Sequence, residues 1–182
     1  MRARFIYGLL AAVTALAATS VSAGLSTTLP ISAEMGTNIA REQFPITVNL
    51  TKARLFLTEP TLLFIDRQRI GIQVRFQAYD HRPQAGVAIS ETGRAAFSGR
   101  LGYDPVERKI LLHEPRIDAL QFDRDNTDAQ GLRRELQGAW SAQITDPMRS
   151  DLPRHPYLLP FRENIQDLSF DGEHIVISVN YR

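Results

Sequence analysis

The side chains best equipped for acid–base, metal or nucleophilic chemistry are four histidines (His81, His113, His155 and His174), the acid-rich run Asp123 to Asp128, and Ser98. Two imidazoles four residues apart on a helix would share one face and could hold a metal; none of the four is so spaced, and His113-Glu114 runs into Pro115 instead of an H-E-x-x-H site. They read as surface or turn histidines. The run Asp123-Arg124-Asp125-Asn126-Thr127-Asp128 offers oxygen ligands in the manner of a calcium loop. Asp128, however, stands at the sixth place, where the loop needs Gly, and Arg134 at the twelfth, where it needs Glu. A polar lead-in to a capped helix accounts for it better. Ser98 lies between Phe97 and Gly99 without a G-x-S-x-G elbow, and no glycine-rich phosphate loop occurs. With no cysteine in the chain, thiolate metal sites, disulfides and a cysteine nucleophile are excluded. The expectation is a non-enzymatic protein: no catalytic residue, no metal ligand and no cofactor. A hydrolase triad assembled from distant residues is the one catalytic reading that a sequence leaves open.

The elements that would position any such group begin after residue 23. Arg2 and Arg4 form a basic region, Phe5 to Ala18 an apolar one, and Val21-Ser22-Ala23 supplies small residues for cleavage after Ala23; this is the pattern of a secretory signal. The apolar run is about 14 residues, short of the ~20 that a helix needs to span a bilayer. Residues 1–23 are therefore assigned to a signal peptide and 24–182 to one domain, a size that suits a single core. Without the signal the formal charge falls from +1 to −1, because the segment holds two Arg and no acid. No basic surplus remains to favour nucleic acid. Lys occurs only at Lys52 and Lys109, a bias of base composition. The missing cysteine also removes a lipobox, so no acyl anchor is expected.

Along the domain, Ser32 and Glu34 mark a helix start, with Ile31, Met35 and Ile39 on one stripe and Phe44-Pro45 as its limit. Ile46 to Leu57 alternates in two registers, which a bulge or sharp bend near Thr51-Lys52 would reconcile. Pro60 interrupts the pattern, Leu62 to Ile65 resumes it, and Asp66 to Arg69 is a polar turn. Ile70, Ile72, Val74, Phe76 and Ala78 then alternate with polar residues in the cleanest strand of the chain. Asp80 to Gly86 reads as a loop and Val87 to Ile89 as a short strand. Ala95 to Phe122 forms a hairpin around Asp104-Pro105, with Phe97, Leu101 and Tyr103 on one side and small Ala95 and Gly99 leaving room between them. Thr127 to Gln130 fits a capping box. It opens a helix in which Leu132, Leu136, Trp140 and Ile144 recur every four residues. Asp146 to Pro160, with four prolines, reads as a crossing without regular structure. A terminal hairpin turns at Asp171-Gly172. The fold class is α+β: a curved antiparallel sheet wrapped around a long amphipathic helix, with a short N-terminal helix.

The apolar stripe of the late helix has two readings. Its side chains either plug the concave sheet completely or leave a slot in which buried methylenes of a ligand would contribute ~0.8 kcal/mol each. Periodicity does not choose between them.

Five stretches carry a family likeness: QFPITVNL (Gln43 to Leu50), SGRLGYDPVERKILLHEPRIDAL (Ser98 to Leu120), the helix through Trp140, DLPRHPYLLP (Asp151 to Pro160) and DLSFDGEHIVISV (Asp167 to Val179). In this order and spacing the segment from Ser32 to Arg182 resembles the YceB-like family of bacterial envelope proteins, built on a domain of unknown function. The resemblance implies a fold similar to tubular lipid-binding proteins and binding of a lipid or other hydrophobic molecule at the envelope. It supplies no catalytic motif. Its best-known members are lipoproteins, whereas this chain lacks the cysteine, so a soluble periplasmic form is expected. The expected function is binding of a lipid or hydrophobic small molecule between helix and sheet, lined by Ile72, Val74, Phe76, Phe97, Leu101, Leu132, Leu136 and Trp140. The alternative is a structural module with a self-filled core and an envelope protein as partner. Membrane contact is compatible with either; nucleic acid is not an expected partner.

Overall fold

The cleanest alternation in the sequence forms the middle of the larger of two sheets. A computed structural model describes residues 25–50, 53–80 and 90–181; the expected signal segment, the Thr51-Lys52 link and the Val87 to Ile89 strand expectation lie outside the described residues. Six antiparallel strands make a meander: β2 (Ile46–Asn49), β3 (Ala53–Phe64), β4 (Arg69–Asp80), β5 (Ser90–Asp104), β6 (Lys109–Phe122) and β7 (Met148–Asp151), hydrogen-bonded in that order. A separate three-stranded sheet has the order β1 (Leu25–Ile31), β9 (Ile175–Tyr181), β8 (Ile165–Phe170). Two helices complete the described fold, α1 (Ala33–Arg41) and α2 (Thr127–Gln143).

Local chemistry explains most boundaries. Ser32 Oγ accepts the backbone N–H of Met35 (3.2 Å) at the start of α1. Asp66 Oδ1 accepts from Gln68 and Arg69 N–H (2.8 and 2.9 Å) and closes the β3–β4 turn. Asp104 Oδ1 accepts from Val106 and Glu107 N–H (2.9 and 3.0 Å) in the β5–β6 turn. In the terminal hairpin Asp171 Oδ1 takes the N–H groups of Glu173 and His174, and Gly172 sits at φ +103°, a conformation that favours a residue without Cβ. The two backbone N–H donors at Asp171 also hold its carboxyl below the usual carboxylate range.

The larger sheet bends because its ladders slip. The β3–β4 register shifts between Thr58 and Thr61, and the β5–β6 register shifts between Ala96 and Phe97 and again between Ser98 and Arg100. Each irregularity adds local twist to a strand. Glu59 and Glu114, both at φ 49°, stand at two of them.

One inward face of this bent sheet serves two cores. At one end Ile70 clusters with Ile165, Leu168, Ile175, Ile177 and Val179 of the small sheet and with Ile31 and Ile39 of β1 and α1. At the other, Ala53, Leu55, Val74, Phe76, Ala78 and Ala95 cluster with Leu132 of α2. The inward row Ile70, Ile72, Val74, Phe76 and Ala78 stands opposite Gly99, Phe97, Ala95, Gly93 and Glu91 of β5.

Several expectations are corrected. The two registers of Ile46 to Leu57 belong to two antiparallel strands, Ile46 opposite Leu57 and Asn49 opposite Arg54, so the parity change is a chain reversal and not a bulge. Pro60 does not end its strand; β3 runs through it by the slip at Thr58/Thr61. Residues Leu25–Ile31, ahead of the expected helix start and not read as a strand, form β1, paired with β9 from Leu25↔Tyr181 to Ile31↔Ile175. Part of the Pro-rich crossing is β7, which pairs with β6. The cap of α2 is Asn126, whose Oδ1 accepts from Ala129 N–H at 2.7 Å; Thr127, expected as the cap, is the first helical residue. The terminal hairpin belongs to its own sheet and not to the curved one.

Candidate ligand-binding site

Helix α2 reaches the larger sheet through a narrow set of side chains. Asn126 anchors its start twice: Oδ1 caps the helix, and Nδ2 donates to Glu91 Oε1 at 2.8 Å. Glu91 is itself buried, with 6% of its surface exposed, so this bond satisfies a carboxylate that would otherwise be costly. Beyond the cap, Ala129 and Leu132 are buried, whereas Leu136 and Trp140 are only half-buried. The helix backbone stands back from the strands, while α1 lies close on β3. Gly131 and Gly138 face open space, and each lowers intrinsic helix stability by about 1 kcal/mol relative to Ala.

The sheet side of this contact grades from dry to wet. Val74 and Phe76, 2% and 1% exposed, form a closed floor in one cluster with Leu132. Phe122 meets Phe76 edge to face at 5.2 Å and is half-buried, and the Arg133 guanidinium lies over the Phe122 ring at 5.3 Å. About two helical turns further on, Trp140 stacks on Phe97 with ring centroids 5.1 Å apart and planes at 21°. Ile72, Leu57 and Leu120 are half-buried between these points and pack on the same core. The result is an apolar strip under α2, closed below and partly open at its margins.

The structure brings together six of the eight residues expected to line a site: Ile72, Val74, Phe76, Phe97, Leu132 and Leu136 all belong to or pack on the α2 core, and Trp140 reaches it through its stacking on Phe97. Leu101 does not join them; it packs on the small-sheet core. Nor does Gly99 leave room. A Cβ there would overlap Leu112 and come within 2.9 Å of His113 O, so the glycine admits neighbouring atoms and leaves no space for a ligand. Gly93 plays the same part for Phe76, whose Cζ would lie 2.6 Å from an added Cβ. Two residues that sequence reasoning missed are Phe122 and Arg133. Phe122 was legible as the end of an extended run, but Arg133 shows no sign of its position in sequence, being one arginine among many.

The residues first considered for chemistry lie elsewhere. Ser98, 1% exposed, accepts from Arg69 Nη2 at 2.8 Å on the outer face of the sheet. Arg69 also belongs to a group around Glu114, with Arg69, Arg100 and Arg116 nitrogens at 3.7, 2.7 and 3.6 Å from its carboxylate. His155 Nδ1 accepts from Tyr157 N–H at 3.1 Å and its Nε2 lies 3.6 Å from Glu42; His113 stands opposite Arg100 in β6; His174 is in the terminal turn; His81 lies outside the described residues. Among the described residues no three His, Asp or Glu side chains are placed to hold a metal ion, and no helix is long and apolar enough to cross a membrane.

Neither the models of known protein families nor the curated proteins contain a match to this chain.

Proposed function

We propose that this protein is a non-enzymatic carrier or receptor that binds a lipid or similar apolar molecule between α2 and the curved sheet, in the manner of a tubular lipid-binding fold. The observation that carries this reading is the half-buried state of the apolar side chains on both sides of the contact. Trp140 and Leu136 on the helix and Phe97, Ile72 and Leu120 on the sheet are each only partly buried, above the dry floor of Val74 and Phe76. A ligand chain lying along them would remove their remaining surface from water, at roughly 25 cal/mol per Å². The helix that would have to yield is weakly held, with two glycines and only Ala129 and Leu132 fully packed. The resemblance to the YceB-like family supports the same class of ligand, and the signal-like N-terminus supports a periplasmic setting.

Trp140 is the single tryptophan of the chain and reports on the strip directly. Titration with a fluorescent or native fatty acid should shift its emission to shorter wavelength, and native mass spectrometry of gently purified protein should show an added lipid mass. A clean unliganded mass together with an emission spectrum that lipid does not change would instead support a structural module whose core is complete without a ligand.

A further inference from the structure

Arg133 is the anomaly in this otherwise apolar strip. Its Nε is buried and has no hydrogen-bond partner among the described residues, and its guanidinium rests over the Phe122 ring at 5.3 Å. A buried N–H of a cation left unsatisfied is costly, and the ring face compensates only in part. Several other cations of this protein have acidic partners: Lys109 with Asp151 at 2.6 Å, Arg108 with Glu163, Arg149 with Glu107. Arg133 has no ion pair of this kind among the described residues.

Its position on the helix gives the anomaly a direction. Seven residues separate Arg133 from Trp140, two turns in which both side chains fall on the same edge of the apolar stripe, about 10 Å apart along the axis. The strip therefore has a cation near the N-terminal end of α2 and the stacked pair of Trp140 and Phe97 at the other. An apolar site with one placed polar group orients its ligand by that group.

We infer that Arg133 is the head-group anchor of the site, and that the ligand is an amphiphile with an anionic head, a carboxylate or a phosphate ester, whose chain runs from Phe122 toward Trp140. The guanidinium donates to the anionic oxygens through a terminal nitrogen and, once the side chain lifts from the Phe122 ring, through Nε, a pairing its planar fork favours and one that satisfies the Nε left unpaired without ligand. This rests on the ligand-binding reading above and adds the charge of the head.

The test uses the whole domain and four probes of equal chain length: oleate, methyl oleate, oleoyl lysophosphatidate and monoolein, each titrated against Trp140 emission. Oleate or oleoyl lysophosphatidate should bind more tightly than its neutral counterpart, and which pair shows the difference distinguishes carboxylate from phosphate. Arg133→Met keeps the apolar stem over Phe122 and should weaken binding of the anionic probe roughly tenfold to a hundredfold, as expected for a charge-assisted bond. It should leave the neutral probe within about twofold, and Arg133→Lys should recover part of the loss. Binding of the neutral probe by Arg133→Met also shows that the variant is folded. Equal affinity of neutral and anionic probes for the wild type, or equal loss of both in Arg133→Met, would overturn the anchor while leaving the slot. No binding of any probe would overturn both.

Discussion

The two ends of the larger sheet use the same inward row of side chains and are covered by different elements, which are themselves buried to different depths. Where the small sheet covers it, Ile177 and Val179 are 1% and 0% exposed and the partners come from four directions: β8 and β9, β1, α1 and the Leu152 to Leu158 crossing. Where α2 covers it, the helix buries only Ala129 and Leu132. Geometry accounts for the difference. Two sheets stacked face to face interdigitate whole rows of side chains over their common area. A single helix is about 10–12 Å across with its side chains, while four strands already span roughly 15 Å. One helix therefore closes the centre of a wide curved sheet and leaves its margins half-covered. Sheet on sheet makes a core; helix on sheet makes a strip that a second apolar body can complete.

This contrast can be broken or sharpened by substitution, most strongly at the closed end. Ile177→Ala should lower unfolding free energy by about 2–5 kcal/mol, the range for a large-to-small change in a filled core, whereas Leu136→Ala under α2 should cost clearly less; urea denaturation that found the two equal would erase the distinction. Gly99→Leu should destabilise the fold by about 1–3 kcal/mol through overpacking against Leu112, with any loss of lipid uptake following the loss of structure and not preceding it. Asn126→Ala removes the α2 cap and the partner of buried Glu91, and should cost about 1–2 kcal/mol; hydrogen exchange should show the loss concentrated in α2. Gly138→Ala should act in the opposite direction, raising stability by about 1 kcal/mol at a position with open space, and a more rigid α2 should slow lipid entry in stopped-flow measurements.

The smallest effects concern titration at the closed end. The Tyr103 hydroxyl is buried without a hydrogen-bond partner among the described residues, and burial pushes its pKa up. Because its folded value lies above the unfolded one, the neutral phenol's contribution is complete below about pH 10 and is lost as pH rises through the folded value. Tyr103→Phe should therefore leave stability within about 1 kcal/mol at pH 7 and reduce the fall above pH 10 in thermal melts. Asp171 has the reverse sign: its lowered pKa stabilises the terminal hairpin above the ordinary carboxylate range, and that contribution disappears as pH falls below about 4. Asp171→Asn should flatten the acid limb of the stability profile.

Much of this architecture was legible because it is local. The Ser32 cap, the Asp66, Asp104 and Asp171 turns and the Ile70 to Ala78 strand each depend on residues within a few positions of one another. The failures share a cause. Thr27 and Thr28 show no apolar alternation, yet β1 forms because β9 offers an edge about 150 residues away. The change of parity near Thr51-Lys52 is the same in sequence whether a strand bulges or reverses; only pairing of Val48 with Leu55 decides it. Asn126 and Thr127 are both competent caps, and the bond from Asn126 to Glu91 favours the first. In the site, the α2 stripe was visible as a period of four, but the half-buried state of Trp140 and the place of Arg133 over Phe122 were not.

The amino-acid sequence by itself determined the α+β class, the inward face of the Ile70 to Ala78 strand, the apolar face of α2 and the lack of any recognisable catalytic or metal motif, because periodicity and capping are properties of neighbouring residues. The tertiary structure alone decided that one inward row feeds two cores, that Leu101 belongs to the closed one and Phe97 to the open one, and that a single arginine lies over Phe122 beside the strip. These depend on which strand pairs with which, on ladder slips at Thr58, Ala96 and Ser98, and on how wide a sheet one helix can cover, none of which a local pattern encodes.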